Sequence, residues 1–422
     1  MGKHDLKEQA HIDALLGAAS KAAAAGRKEE ALATLRQAEE AAPDNPRVLN
    51  ALGNRLLAAG RPTEALKVLE RAVAGDQQAT ALWLNLAAAA RACADDSAEL
   101  RAIDGALRTD PYATMALLLK GKLLERTGDG EGAASTYGAL LASIPGGVTI
   151  PPALQAELDH AQNIVARQRI VVAQRVEAAV AEVAVRSTRF EHAIRLLEGT
   201  QKLYLPQPTG LYFPYLPAVP YFDRSQFAWF EELEAHTDVI REEFLAVAKR
   251  DVGIRPYVTI EPERPVNQWQ ELNHSLDWGA FFLWENGQRN EANIAACPRT
   301  AALIERLPLL DIPTHGPTAM FSILKPGAII PPHTGTTNIR SVVHLPLVVP
   351  PDCGFRVGIE SREWREGEAW AFDDTIEHEA WNRSALPRAI LILDAWNPYL
   401  TADEQILLRL ANVALRQEVA QR

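Results

Sequence analysis

Ten histidines are spread over the 422 residues, and three of them fall within or beside runs that read as β-structure. His333 sits in Pro331-Pro332-His333-Thr334-Gly335, just before a strand. His378 follows Phe372-Asp373-Asp374-Thr375-Ile376-Glu377, just after one. His344 is the third. In a double-stranded barrel the places of His333 and His378 face each other across the barrel mouth. Neutral imidazole suits iron(II), and two histidines with one carboxylate form the facial triad of non-haem iron oxygenases, with positions left open for a co-substrate and dioxygen. The acid of that triad usually stands two residues after the first histidine. Here that position is Gly335, which has no ligand atom. Asp373 and Asp374 could supply the carboxylate or could cap a turn. On spacing alone a structural pair of histidines and a metal-binding pair both stand.

Arg388 lies ten residues after His378 and opens the strand-like run Ala389 to Leu393. An arginine at the start of the final barrel strand points inward beside the metal position. A buried guanidinium needs an anionic partner, and a bidentate carboxylate fits it best. A surface ion pair with Asp or Glu is the other reading.

The elements that must position these groups follow from periodicity. From Thr318 onward the period is two, with short β-branched and aromatic runs at Ala319 to Leu324, Ser341 to Val349, Gly354 to Ile359, Glu368 to Phe372 and Ala389 to Trp396, separated by Pro, Gly and Asp. That spacing predicts antiparallel strands closed as a jelly roll or cupin-like double-stranded β-helix. Upstream, Phe227 to Lys249 reads as an amphipathic helix. The stretch Leu203 to Asp223 is rich in Pro, Tyr and Phe and reads as an ordered segment whose aromatics need burial.

The first third is of another kind, rich in Ala and Leu and almost free of aromatics. Gly26-Arg27-Lys28-Glu29-Glu30-Ala31-Leu32 returns as Gly60-Arg61-Pro62-Thr63-Glu64-Ala65-Leu66, then more weakly from Ala94 and Gly128, each 34 positions after the last. The same offset links Pro43, Gln77, Pro111 and Pro145, and the small residues Ala19, Gly53, Ala87 and Gly121. A 34-residue helical period is the tetratricopeptide signature, and about four such units stack into a superhelix with a concave face. Leu154 to Val185 and Arg186 to Glu198 read as two further helices. The expected class is α+β multidomain: an all-α tetratricopeptide solenoid over 1–148, linking helices over 149–202, the β-helix domain over 203–400 and a C-terminal helix over 401–422.

Composition excludes several classes. A net charge of −11 argues against nucleic-acid binding. No run of about 18 apolar residues exists, so no membrane-spanning helix is expected. Met1 to Leu16 carries scattered charges and no signal-type apolar core. Cys93, Cys297 and Cys353 are odd in number, far apart and without a CxxC pair, which gives neither a disulfide framework nor a zinc motif. A reduced, cytoplasmic setting is the expectation.

Residues 203–398 resemble the aspartyl/asparaginyl β-hydroxylase family. The densest match runs through His333-Thr-Gly-Thr-Thr-Asn338-Ile-Arg340, His344-Leu345, Cys353, Trp364, Glu366-Gly367, Phe372-Asp373-Asp374, Glu377-His378-Glu379, Trp381, Arg388 and Asp394-Ala395-Trp396-Asn397-Pro398. Phe321-Ser322-Ile323 with Pro326-Gly327, and Leu283-Trp284 with Arg289-Asn290-Glu291, extend it upstream. The resemblance implies an iron(II)- and 2-oxoglutarate-dependent dioxygenase. Members hold iron with two histidines and have glycine in place of the acid, so Gly335 fits, with water in the vacant position. It implies that His333 and His378 bind the metal. Arg388 and Ser322 would bind the distal carboxylate of 2-oxoglutarate, His344 would lie near its chelating end, and Trp278 and Arg340 would contact it too. One departure stands out: a second arginine common in the family two residues after Arg340 is here Val342. The implied substrate is a peptide or protein held by the repeats and hydroxylated at the β-carbon of Asp or Asn. A non-catalytic repeat protein with a decayed barrel, and a hydroxylase of a small molecule or acyl chain, are the alternatives. A zinc hydrolase or cupin isomerase would need a third protein ligand.

Overall fold

The 34-residue period resolves into antiparallel helix pairs. They are α1 (Lys3–Ala24) with α2 (Lys28–Ala41), α3 (Pro46–Ala58) with α4 (Pro62–Gly75), α5 (Thr80–Ala92) with α6 (Asp96–Thr109), and α7 (Thr114–Arg126) with α8 (Gly130–Ser143). Each pair turns at the same repeat position, and the backbone there is left-handed: φ is 75° at Gly26, 74° at Gly60, 56° at Ala94 and 84° at Gly128. The next amide closes the turn in every unit, as Arg27 N–H donates to Ala22 C=O, Arg61 to Leu56, Asp95 to Ala90 and Asp129 to Leu124. Gly53 lets α3 and α4 meet closely, since a Cβ there would stand 2.5 Å from Leu69 Cγ. A continuous core of Leu, Ala and Val runs through the pairs.

The chain forms two compact units, Met1–Gln201 and Lys202–Arg422, and the computed structural model describes residues 3–419 except 146, 148, 186 and 251. The first unit ends with α9 (Pro152–Ala179) and α10 (Thr188–Glu198). The expected helix start at Arg186 lies outside the described residues.

Among the described residues of the second unit, eleven strands form two antiparallel sheets: β1 (Arg255–Pro256), β2 (Trp278–Glu285), β3 (Gln288–Arg289), β4 (Ala319–Leu324), β5 (Ile329–His333), β6 (Arg340–Val348), β7 (Cys353–Val357), β8 (Glu360–Arg362), β9 (Trp370–Phe372), β10 (His378–Asn382) and β11 (Arg388–Trp396). The larger sheet runs β1-β2-β4-β11-β6-β9 with β3 beside β2, and the smaller runs β5-β10-β7-β8. Successive side chains alternate between the two faces of a strand. One face of the larger sheet, with Phe321, Val343, Leu345, Leu391 and Leu393, packs against Phe230, Phe244 and Ile304 from helices. Each such buried side chain contributes about 1.5–3 kcal/mol. The other face, with Leu324, Val342 and Ile390, packs against Phe355, Val357 and Ala380 of the smaller sheet. With both faces covered, β2, β6 and β11 are buried almost end to end.

Three expectations need correction. His333 and His378 lie in strands, as the last residue of β5 and the first of β10. Pro331 and Pro332 disguise β5, which lies at the edge of its sheet beside β10. The single helix expected over Phe227 to Lys249 is two, Phe230–Ala235 and Thr237–Arg250. There Thr237 Oγ1 donates to Glu234 C=O at 2.7 Å, a side-chain bond that competes with the helical backbone. In the aromatic stretch Tyr221 and Phe222 are buried, but Tyr215 is 98% exposed.

Candidate functional site

β5 and β10 pair with His333 opposite His378, which sets the two imidazoles side by side with ring centroids 4.0 Å apart. Each ring is held in the same way. His333 Nδ1 bonds Pro331 C=O at 2.8 Å, and His378 Nδ1 bonds Ile376 C=O at 3.0 Å, in both cases two residues back. Donation from Nδ1 leaves the Nε2 lone pair of each ring free, the pattern of a metal-ligating histidine. Burial pushes His333 below the ordinary histidine value and His378 well below it, so both rings are neutral, as a ligand must be. Among the described residues no group of three or more His, Cys, Asp or Glu converges to hold a metal. A metal here would have these two protein ligands.

The place of a third ligand is filled from elsewhere. A Cβ on Gly335 would run into the carboxylate of Asp374, and Gly335 N–H donates to Asp374 C=O at 2.6 Å. Asp373 does cap a turn, accepting from Thr375 N–H at 2.9 Å and Oγ1 at 2.6 Å. Burial raises its carboxyl to about 6. Asp374 instead takes Arg340 Nη2 at 2.5 Å.

The two histidines open into a cavity of about 250 Å³ that runs along the inner face of β4, β6 and β11. At one end stands Arg388, 1% exposed, with Nε and Nη1 unpartnered and no acidic side chain beside it among the described residues. Its guanidinium lies 4.7 Å from the Trp364 ring, and burial pushes its pKa down to about 10. A buried cation in this state wants a ligand anion. Ser322 Oγ, which accepts from Trp278 Nε1 at 3.0 Å, lines the same cavity. His344 also lines it, buried among Phe355, Trp370 and Phe372 with Nδ1 unpartnered; burial and then Arg388 hold it well below the usual range. These residues fit a dicarboxylic acid that reaches from Arg388 toward the histidine pair.

The chain is similar to known proteins in both of its units. The aspartyl/asparaginyl beta-hydroxylase family model matches residues 234–398, and a tetratricopeptide repeat model matches 46–89. The human aspartyl/asparaginyl beta-hydroxylase is 35% identical over 194 residues, 45% of this chain and 24% of that protein. The ornithine lipid ester-linked acyl 2-hydroxylase of Rhizobium tropici is 33% identical over 199 residues, 46% of this chain and 67% of that one. The chain belongs to the aspartyl/asparaginyl beta-hydroxylase family. Human aspartate beta-hydroxylase domain-containing protein 2 is 31% identical over 205 residues, 53% of its length. The chain spans about a quarter of the human and mouse aspartyl/asparaginyl beta-hydroxylases.

All seven residues singled out in the sequence as candidate site groups in this family member, namely His333, His378, Arg388, Trp278, Ser322, Arg340 and His344, line the one cavity. Arg340 reaches it with its charge already engaged, by Asp374 and by Asp394 at 3.3 Å. Among the lining residues that were not picked out as site groups are Tyr257, Trp269 and Asp394, the last quoted only within the family motif. Trp269 meets His333 edge-on at 4.9 Å, and Tyr257 stacks on Trp278 at 4.0 Å. Neither stands in a run with a readable period. Asp394 was within reach, since Arg388, Ile390, Ile392 and Asp394 share one face of β11 by simple alternation.

Proposed function

We propose that the chain is an iron(II)- and 2-oxoglutarate-dependent dioxygenase that hydroxylates a peptide or protein, with His333 and His378 holding the metal. The observation that carries this is a neutral imidazole pair, each ring oriented by a backbone carbonyl, in a cavity that ends in a buried guanidinium with no acidic side chain beside it among the described residues. When bound, iron and 2-oxoglutarate supply the activation of dioxygen, and the co-substrate leaves as succinate and carbon dioxide while one oxygen atom enters the substrate. The chain's own residues orient and shield. Arg388, with Ser322 nearby, grips the distal carboxylate. The aromatic wall of Trp278, Phe355 and Phe372 excludes water. Asp374 occupies the space that a side chain at 335 would need.

In this reading the two facing sheets form a double-stranded β-helix, and the helical repeats hold the polypeptide so that one residue enters the cavity. Residue β-carbons of Asp or Asn are the family's substrates by name. A second reading, hydroxylation of a lipid acyl chain, is favoured by the match over two thirds of the Rhizobium tropici lipid hydroxylase. The test uses iron-loaded protein with 2-oxoglutarate. His378→Ala should abolish substrate-dependent succinate formation and lower metal affinity. Intact turnover in that variant would remove the assignment. Mass spectrometry of peptide and lipid fractions from cells with and without the protein, read for a gain of one oxygen atom, separates the two substrate classes.

A further inference from the structure

An uncharged strap borders the cavity. Leu203 to Phe222 contain no Asp, Glu, Lys, Arg or His, and they precede the residues 234–398 that the family model matches. The backbone of the strap is tied to the cavity rim. Gln207 N–H donates to Thr375 C=O at 2.7 Å, Thr209 N–H to Gly335 C=O at 3.0 Å and Gly210 N–H to Thr336 C=O at 2.9 Å. Gly335 and Thr336 line the cavity just after His333. Farther on, the buried Asn338 side chain brackets Phe213, accepting its N–H at 2.7 Å and donating to its C=O at 2.8 Å. Tyr204, Phe213 and Leu216 pack against the cores. The remaining large apolar side chains stay in water. Leu203, Leu205, Leu211 and Tyr212 are each more than half exposed, and Tyr215 is 98% exposed. One exposed leucine needs no explanation, but a row of large apolar side chains on a segment fixed in place marks a contact surface. Tyr215 also takes φ of 67°, a left-handed conformation that glycine adopts without strain, so the fold gains nothing from a tyrosine there. Pro206 and Pro208 have no N–H to offer an added strand, so a partner meets side chains and not a backbone edge.

We propose that this strap docks the substrate polypeptide, taking aliphatic or aromatic side chains within about six residues of the one that enters the cavity. The proposal rests on the reading that the cavity is the active site of a polypeptide hydroxylase. The reach follows from chain length. The path from His333 to Gly335, across one hydrogen bond and on from Thr209 to Tyr212 is at most about 20 Å. An extended substrate covers that in about six residues. Because the strap is already ordered, contact with it costs little conformational freedom on the protein side. A membrane surface suits it less, since anionic lipid is held by lysine and arginine among the apolar groups, and the strap has neither.

The test uses acetylated peptide amides with a central aspartate in a Gly-Ser background. They differ only in a Leu-Tyr pair, which is absent, placed about five residues from the aspartate on both sides, or moved out to about twelve. Binding to the full iron(II)-loaded chain with 2-oxoglutarate is measured under anaerobic conditions. The near pair should tighten binding at least about tenfold, and the far pair by less than about threefold. The combined variant Leu211→Ser, Tyr212→Ser, Tyr215→Ser should cut the near-pair gain below about threefold and leave 2-oxoglutarate affinity unchanged. No gain from the near pair, an equal gain from the far one, a gain that survives the combined variant, or no binding of any peptide at millimolar concentration overturns the proposal. Capture of the unaltered chain, but not of the variant, by phosphatidylcholine vesicles without a near-pair gain overturns it too, in favour of lipid. Should the combined variant not fold, Tyr215→Ser alone is read in the same way, and the near–far contrast in the unaltered chain decides by itself. Titration of 2-oxoglutarate without peptide separates the two levels. If it does not bind while the near-pair gain holds, the dioxygenase reading falls and the docking strap stands. If it binds and no near-pair gain is found, the docking strap alone falls.

Discussion

A guanidinium that is 1% exposed, with two nitrogens unpartnered and an indole above it at 4.7 Å, destabilises the folded chain until an anion arrives. Arg388→Met should therefore have two opposite effects. The ligand-free protein should gain about 1–2 kcal/mol of stability in thermal unfolding, because an uncompensated charge has gone. Affinity for 2-oxoglutarate should drop about 10–100-fold, the loss expected for hydrogen bonds to a charged group. A variant that loses both stability and affinity would mean that Arg388 serves the fold. The buried histidines set the acid side of stability. His344 and His378 are held well below the usual value near 6.5, chiefly by burial, so below about pH 6.5 the unfolded chain binds protons that the folded chain refuses. Stability from this source is complete above pH 6.5 and falls with pH below it, by up to about 1.4 kcal/mol per pH unit for each ring. Asp373 has the opposite sign. Its folded value near 6 lies above the ordinary 3.8, so between those values the folded chain takes up the extra proton. Urea midpoints should change little above about pH 7 and fall as pH drops from 7 to 5, with Asp373 reducing the slope below 6 without cancelling it, because two rings oppose one carboxyl. A flat profile from 7 to 5 would contradict the burial argument. Gly335 offers a third check. Gly335→Asp would place its Cβ into the Asp374 carboxylate and a second acid beside it, so the change should lower thermal stability by about 1–3 kcal/mol and leave no competent third ligand. Asp374→Gly in the same chain should recover most of that loss.

At the level of elements, the repeat turns give the clearest prediction. Ala94 adopts φ of 56° where Gly26, Gly60 and Gly128 take the same conformation without a Cβ. A left-handed residue with a Cβ is strained by about 1–2 kcal/mol, partly offset by the extra freedom that glycine brings to the unfolded chain. Ala94→Gly should stabilise the repeat unit by about 0.5–1 kcal/mol in denaturant unfolding; a destabilised variant would show that the turn tolerates alanine unstrained. These turns were legible because a fixed period repeats the same demand four times, and the glycine answers it in three. The strands were legible where one residue type alternates with another, as in Ala319–Leu324, whose ends agree with the expectation. They were missed where burial or proline hides the period. Trp278–Glu285 is apolar on both faces, so it shows no alternation, and Ile329–His333 contains two prolines on a strand that ends in a metal-ligand candidate. The candidate site was legible at its charged and imidazole groups, whose chemistry is rare in a core. It was not legible at Trp269 or at the pairing of Arg340 with Asp374, because those depend on which loops and strand ends meet across the sheets.

At the scale of the whole molecule, the two units carry separate cores. Leu49, Leu52, Leu69, Ile103 and their neighbours close the helical unit, while Phe230, Phe321, Leu345 and Leu391 close the β unit. Helical repeats contact their own neighbours, and their stability is close to a sum over adjacent units. A sheet with both faces covered gains its stability from pairings distant in sequence, such as β4 with β11. Each unit therefore has its own source of cooperativity, and removal of residues 1–201 should leave a folded β unit that still binds 2-oxoglutarate. What should change is the grip on a long substrate. If the repeats hold one stretch of a polypeptide while the cavity takes one residue of it, the second contact becomes intramolecular, and the combined affinity rises on the order of 10²-fold or more. The shortened chain should then turn over a short peptide with kcat and KM within about twofold of the full chain, while KM for a full-length protein substrate rises on the order of 10²-fold. Steady-state succinate formation with both substrates measures this directly. A shortened chain that loses both substrates equally would place the repeats in the folding of the β unit, and one that keeps both would leave the repeats without a part in substrate capture.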